Sequence, residues 1–139
     1  MTKIKIALEG AKMPTKAHKM DAGFDLYSPV TEEIPPLSSV KIDTGVHIEI
    51  PDGLCGLLVS KSGLNVKHDI TSTGLIDAGY TGSIAVKLYN HGETPYTVKK
   101  GDKISQLVLL IVYQAELIEV DKLDSSSERG NNGFGSSGR

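Results

Sequence analysis

Val46-His47-Ile48-Glu49-Ile50-Pro51-Asp52-Gly53-Leu54-Cys55-Gly56-Leu57-Leu58-Val59-Ser60 is the stretch whose reading decides the fold. Val46, Ile48 and Ile50 alternate with His47 and Glu49, the clearest period of two in the chain. That period puts one face of a strand against a core. Pro51-Asp52-Gly53 then carries turn chemistry. Leu54 to Ser60 is apolar enough for a second, more buried strand. Two such runs about one tight turn predict a β-hairpin.

Outward from that hairpin, strand signals recur at close spacing. Ile4, Ile6 and Leu8 read as an edge strand, and residues 9–21, polar and containing Pro14, read as a loop. Ala22 to Ser28 is short and strand-like, and Pro29 ends it. Ile34-Pro35-Pro36 reads as a turn, with Val40 and Ile42 in a further strand. Ser62-Gly63-Leu64-Asn65 breaks the run that ends at Ser60. Ile84, Val86 and Leu88 alternate with Ser83, Ala85 and Lys87, and Asn90 to Glu93 is another turn. Tyr96 to Lys99 is a short strand. Leu107 to Val112 is apolar throughout, and its β-branched content with the Gly101-Asp102 entry favours a strand over a buried helix. No other segment shows a helical period. Close-spaced strands predict an all-β sandwich or barrel. From Asp124 the composition shifts to Ser, Gly and Asn, with Phe134 the one large apolar residue. Such a segment cannot bury enough surface to fold alone. The expected organisation is a β-barrel over residues 1–123 and a flexible tail over 124–139, which reads as a lid with Phe134 as its anchor.

At 139 residues the chain suits one domain with a real core. A net charge of -2 supplies no general field for nucleic acid or an anionic membrane. Any polyanionic ligand must therefore be met by local cations, backbone N–H groups or a metal. The single cysteine, Cys55, rules out an intrachain disulfide and suits a reducing cytoplasm. Met1 to Lys5 has no apolar core of a signal peptide, and no apolar run is long enough for a membrane helix. His18, His47, His68 and His91 show no paired ligand spacing, which argues against zinc. Gly56 to Ser62 lacks the glycine before its lysine that a Walker phosphate loop needs.

The remaining chemistry lies in glycine-flanked polar turns. Gly74-Leu75-Ile76-Asp77-Ala78-Gly79-Tyr80-Thr81-Gly82 displays a carboxylate and an aromatic ring on a turn before a strand. Lys61-Ser62-Gly63 offers a cation, a hydroxyl and a permissive backbone. Lys100-Gly101-Asp102-Lys103 adds charge, with Gln106 just beyond. Arg129-Gly130 and Gly133-Phe134-Gly135-Ser136-Ser137-Gly138 offer a guanidinium, an aromatic face and small residues whose N–H groups can wrap phosphate oxygens. Together they fit a nucleotide phosphate site.

These stretches, with Ala22-Gly23-Phe24-Asp25-Leu26-Tyr27-Ser28, resemble in order the five motifs of the trimeric dUTPase family, the dUTP pyrophosphatases. The likeness covers nearly the whole chain. It implies a jelly-roll-like β fold and a homotrimer with active sites at subunit interfaces. The implied reaction is dUTP and water giving dUMP and pyrophosphate with Mg²⁺, which keeps uracil out of DNA and supplies dUMP for thymidylate synthesis. By resemblance, Asp77 is the base that activates the attacking water, and Tyr80 packs on the deoxyribose. The hairpin through Thr71, Gly74, Leu75 and Ile76 reads uracil with its backbone. Ser62 and Gly63, with Lys61, hold phosphate, and Gln106 sits near the α-phosphate. Asp25 resembles the aspartate that orders the metal's water shell rather than ligating it directly. Arg129 meets the γ-phosphate, and Phe134, followed by Gly135 and Ser136, stacks over the base.

Two departures stand out. Lys61 occupies a place that is usually arginine, keeping the charge but not the two-pronged donor; pairing with Asp102 or with phosphate is the expectation. Thr71 stands where some members carry a uracil-contacting asparagine. The rival within the fold is a dCTP deaminase, which the intact Asp77 turn and the Phe-Gly-Ser-Ser-Gly tail argue against. The rival of another class is a regulatory protein partner, expected if a phage encodes the chain, although the short link from Lys87 to Lys99 leaves no room for an inserted element.

Overall fold

A computed structural model describes residues 1–138; Arg139, the last residue of the expected tail, lies outside the described residues. The strands are β1 (Ile6–Leu8), β2 (Gly23–Tyr27), β3 (Glu32–Ile34), β4 (Ser38–Ile48) and β5 (Leu54–Val59). A short helix, α1 (Ser62–His68), precedes β6 (Ile70–Ile76), β7 (Ser83–Asn90), β8 (Tyr96–Val98) and β9 (Lys103–Ile111). Seven strands form one sheet in the order β1-β4-β7-β6-β5-β9-β2, and β3 pairs with β8 as a separate ribbon. Leu26 on β2, Ile42 on β4, Ile84 on β7 and Leu107 on β9 meet in one buried cluster. Strands that far apart in the sheet can share a core only if the sheet curls on itself, so the fold is an all-β, jelly-roll-like half-barrel.

The core is almost wholly branched aliphatic, which suits pleated packing. Each such side chain contributes ~1.5–3 kcal/mol on full burial. β7 shows the period of two most strictly: Ile84, Val86, Leu88 and Asn90 point inward, while Ala85, Lys87 and Tyr89 stay exposed. Asn90 is the polar inward residue, and it is satisfied. Its amide donates to the carbonyls of Ile34 at 3.0 Å and Thr94 at 2.8 Å. It thereby fastens the ribbon to the sheet.

The predicted hairpin does not form. β4 pairs with β1 and β7, whereas β5 pairs with β6 and β9. Pro51-Asp52-Gly53 turns the chain from one half of the curled sheet to the other, and the Val112 N–H donates to the Gly53 carbonyl at 2.9 Å. Period two fixes which face a strand buries, not which strand lies beside it. The separate strands expected at Val40–Ile42 and Val46–Ile50 are one strand, interrupted between Asp43 and His47 by an irregularity. Gly45, at φ 71°, takes the left-handed conformation there. Ile34, expected in a turn, ends β3 and is fully buried. The segment after Ser60, expected only as a break, is α1, about two turns with no buried residue. It is too short to show a helical period. Its C-terminal cap, Asp69, lies at φ 57° and donates its N–H to the carbonyls of Leu64 and Asn65.

β6 changes partner halfway. Ile70, Thr71 and Ser72 pair with β7, and Thr73 to Ile76 pair with β5. Beyond Val112, no strand or helix forms among the described residues. Tyr113, Leu117, Ile118, Leu123 and Phe134 are all exposed.

Candidate active site

The partner change opens the site. The last β6–β7 pair is Ser72 with Leu88. Past it the two strands splay, and a slot of about 270 Å³ opens, lined by Leu75, Ile76, Asp77, Tyr80, Ser83 and Ala85. It is smaller than the ~300–1,000 Å³ of pockets for drug-sized ligands, hence scaled to a ring rather than a whole nucleotide. On its β7 side, the stretch Thr73 to Ile76 has no ladder partner, so backbone N–H and C=O groups border the slot. Asp77 and Tyr80 stand exposed at its mouth. The Tyr80 N–H donates to the Asp77 carbonyl at 3.3 Å, and its hydroxyl donates to the Ser83 carbonyl at 3.0 Å. Gly82 makes room for that ring: a Cβ there would lie 2.4 Å from the Tyr80 hydroxyl.

A second cluster forms where β2, β5 and β9 adjoin. Asp25, 4% exposed, receives Lys61 Nζ at 2.5 Å on one oxygen and Lys103 Nζ at 3.0 Å on the other. Burial pushes the Asp25 carboxyl up, but the hydrogen bonds and charges of Lys61 and Lys103 outweigh it and hold it below the usual aspartate value. Asp25 in turn raises Lys103 above the usual lysine value. One carboxylate between two ammonium groups leaves a net positive charge facing solvent. Lys61 thus pairs with Asp25 and not with Asp102, whose carboxylate caps its own turn by accepting the Lys99 N–H at 2.9 Å. Gln106 lies opposite Asp25 in the β2–β9 ladder and donates to the Ser60 carbonyl at 3.1 Å. Gly23 leaves the space for it, since a Cβ there would stand 2.5 Å from the Gln106 carbonyl oxygen. Behind this face, buried Ser72 and Ser105 share a hydrogen bond of 2.8 Å, and the Ser105 hydroxyl also reaches the Val59 carbonyl at 3.0 Å. Ser62 and Gly63 lie exposed at the start of α1, which has no side-chain cap.

One chain does not unite these parts. Gly56 faces Ile76 and Val59 faces Thr73, so Asp77 leaves one end of that ladder and Lys61 the other. By that register Asp77 stands level with Cys55, six residues from Lys61, and at ~3.3 Å per residue the two lie roughly 20 Å apart. Thr71 sits in the paired half of β6, with its hydroxyl 2.7 Å from His91 Nε2, away from the slot. The tail joins neither cluster. Arg129 Nε donates to the Asn132 carbonyl at 2.9 Å, the other tail hydrogen bonds are equally local, and Phe134 is fully exposed. Lys103 is legible as part of the charged turn Lys100-Gly101-Asp102-Lys103, but its pairing with Asp25, and the parts played by Gly82, Ser83 and His47, depend on strand pairing.

A family model described as dUTPase matches residues 9–138. The dUTP nucleotidohydrolase of Clostridium tetani is 43% identical over 99% of this chain and 96% of its own. The human mitochondrial enzyme of the same name is 41% identical over 94% of this chain and 52% of its own. Among solved structures, the dUTPase of Staphylococcus bacteriophage 80alpha with dUPNHPP superposes with a TM-score of 0.94 at 34% identity, covering 100% of both chains. A mutant dUTPase from Staphylococcus aureus phage phi11, in which a structural Mg(II) ion is coordinated, gives a TM-score of 0.82 at 31% identity over 89% of this chain and 100% of its own. Fold and relatives together define a jelly-roll hydrolase of nucleotide metabolism. More narrowly, the chain belongs to the dUTPase family.

Proposed function

We infer that the chain is a dUTP diphosphatase that cleaves dUTP between its α- and β-phosphates. The splayed β6–β7 hairpin carries this reading. Its unpaired backbone can match the order of carbonyl, N–H and carbonyl on uracil, and a buried polar mismatch with cytosine discriminates by about 10⁴ or more. Tyr80 packs on the deoxyribose, where a ribose 2′-hydroxyl would collide. The Asp77 carboxylate accepts a proton from water as the water oxygen bonds to the α-phosphorus. The bond from that phosphorus to the bridging oxygen breaks, leaving dUMP and pyrophosphate. Lys61, Ser62, Gly63 and Gln106 receive the phosphates.

Among the described residues no His, Cys, Asp and Glu side chains cluster as a metal cage, and both Asp25 oxygens are held by ammonium groups. That suits Mg²⁺ carried by the triphosphate and its own waters, with Asp25 reaching it through water. When bound, the ion neutralises triphosphate charge. The ~20 Å between Asp77 and Lys61 supports a homotrimer in which one copy's slot meets another copy's cation cluster. Residues 1–123 then act as the barrel domain and 124–139 as the lid. The lid brings Arg129 to the γ-phosphate and Phe134, Gly135 and Ser136 over the base, excluding water. The single buried cysteine suits a cytoplasmic setting.

Pyrophosphate release from dUTP, dCTP, dTTP and UTP with Mg²⁺ tests the reading. Cleavage of dUTP alone is expected; ammonia release from dCTP would make the chain a deaminase. A regulatory protein contact is the second reading, favoured by the full-length likeness to the 80alpha enzyme, described as controlling the transfer of virulence genes. An Asp77→Asn variant that keeps such a contact while losing turnover would separate the two.

A further inference from the structure

The turn that carries Asp77 and Tyr80 is tied to the rest of the sheet by a histidine that the reaction above does not use. His47, half-buried on β4, places Nδ1 2.8 Å from the Thr81 carbonyl and Nε2 3.0 Å from a Glu9 carboxylate oxygen. Glu9 is itself fixed by its N–H, which donates to the Gly45 carbonyl at 2.9 Å. The turn's own bonds are local, from Tyr80 to Asp77 and Ser83, and its far end is held by the Ser83 hydroxyl on the Asp43 carboxylate. His47 thus supplies the tether at Thr81, between the tyrosine and the glycine that makes room for it.

A carbonyl oxygen and a carboxylate only accept hydrogen bonds. A neutral imidazole has one N–H and can serve one of them; the imidazolium has two and serves both. We propose that His47 is a positioning residue for the substrate turn, and that as an imidazolium it clamps Thr81 to Glu9 and so sets the seat of Tyr80 against the sugar. The role rests on the reading of the slot as the nucleoside site.

The surroundings favour the charged form. The Thr81 carbonyl and the Glu9 carboxylate raise the His47 value above that of an ordinary histidine, with a further push from Asp43. The other charges at this face are Lys5 and Glu49, which pair with each other at 3.6 Å, and Lys41 beyond Asp43 on β4. Because the folded value is raised, the clamp is complete below the usual histidine value of about 6.5 and is lost as pH rises through the folded value.

The test measures kcat and KM for dUTP and UTP from about pH 5.5 to about pH 8.5 in wild type, His47→Gln and Glu9→Gln. It is paired with NMR titration of the imidazole C–H signals and the Gly82 amide. Wild type is expected to lose about tenfold of its preference for dUTP over UTP across the His47 titration. His47→Gln should lack that step, and Glu9→Gln should move it to lower pH. His47 should titrate above the usual histidine value of about 6.5, with the Gly82 amide following it. A stability role alone would change the melting temperature and leave the step in place. An identical step in both variants, or His47 titrating at or below the usual histidine value of about 6.5, overturns the proposal. If wild type does not cleave dUTP, the nucleotide reading fails, while the Gly82 shift still decides whether His47 holds the turn.

Discussion

The Asp77 turn and the C-terminal tail are built from the same materials: glycines, small polar residues and one aromatic ring. They end in opposite conditions. Tyr80 is held by its hydroxyl on Ser83, in a turn fastened at Thr81 and Ser83 to β4. Phe134 touches nothing that restrains it, and the hydrogen bonds around it span only a few residues. Composition did not decide between them. A glycine-rich segment becomes ordered when strands at its ends fix its path and cross-strand groups meet its backbone, and β6 and β7 do this for residues 77–82. The tail leaves β9 with no returning strand. One region is held by its sheet; ordering the other, as the proposed lid requires, would cost ~1–2 kcal/mol per residue.

The contrast can be broken from either side. Asp77→Asn should lower kcat by about 10³-fold at unchanged melting temperature, since the base is lost from an exposed position; a pre-steady-state assay of pyrophosphate release would check it. Truncation after Leu123 should cost about 10²-fold in kcat/KM through poorer positioning, again with no loss of stability. A large drop in melting temperature on truncation would show the tail to be structural and sink the comparison. Asp25→Ala should reduce unfolding free energy by about 2–3 kcal/mol in urea titrations, low for a buried pair because both ammonium groups retain some water. The folded Asp25 value is depressed, so its contribution is present above the ordinary aspartate value of about 3.9 and is lost as pH falls through the folded value. Acid unfolding of Asp25→Ala should accordingly be less steep than that of wild type. The smallest effect is expected for Gly82→Ala, whose methyl displaces the Tyr80 ring. Preference for dUTP over UTP should fall by about threefold to tenfold, read from the ratio of kcat/KM values.

Much of this was legible in the chain. The alternation in β4 and β7 announced strands, and the polar turns, taken in order, announced the dUTPase family. What stayed hidden depends on partners. Nothing in the stretch from Val46 to Ser60 says that its two strands lie in different halves of the sheet, because a tight turn and a crossing turn use the same residues. Lys61 could have met Asp102 or Asp25. Only the pairing of β9 with both β2 and β5 puts Asp25 within its reach. His47 looked like one more outward residue on an alternating strand, and its acceptors come from segments 34 residues later and 38 residues earlier in the chain.

The strand that changes partner has a consequence for fidelity. β6 is the seam between the two halves of the curled sheet, so the strand walls of the slot are held by the same ladders that hold the core together. The β6 wall of the slot cannot retreat without parting from β5, and Ile76 must leave the core with it, whereas the Tyr80 side moves with its turn. Moving that wall approaches the cost of opening the protein. If the proposed reading of the base by that wall holds, its selectivity is insured by cooperativity, and a mutation that loosens the wall should be visible first as faster exchange of the β6 amides.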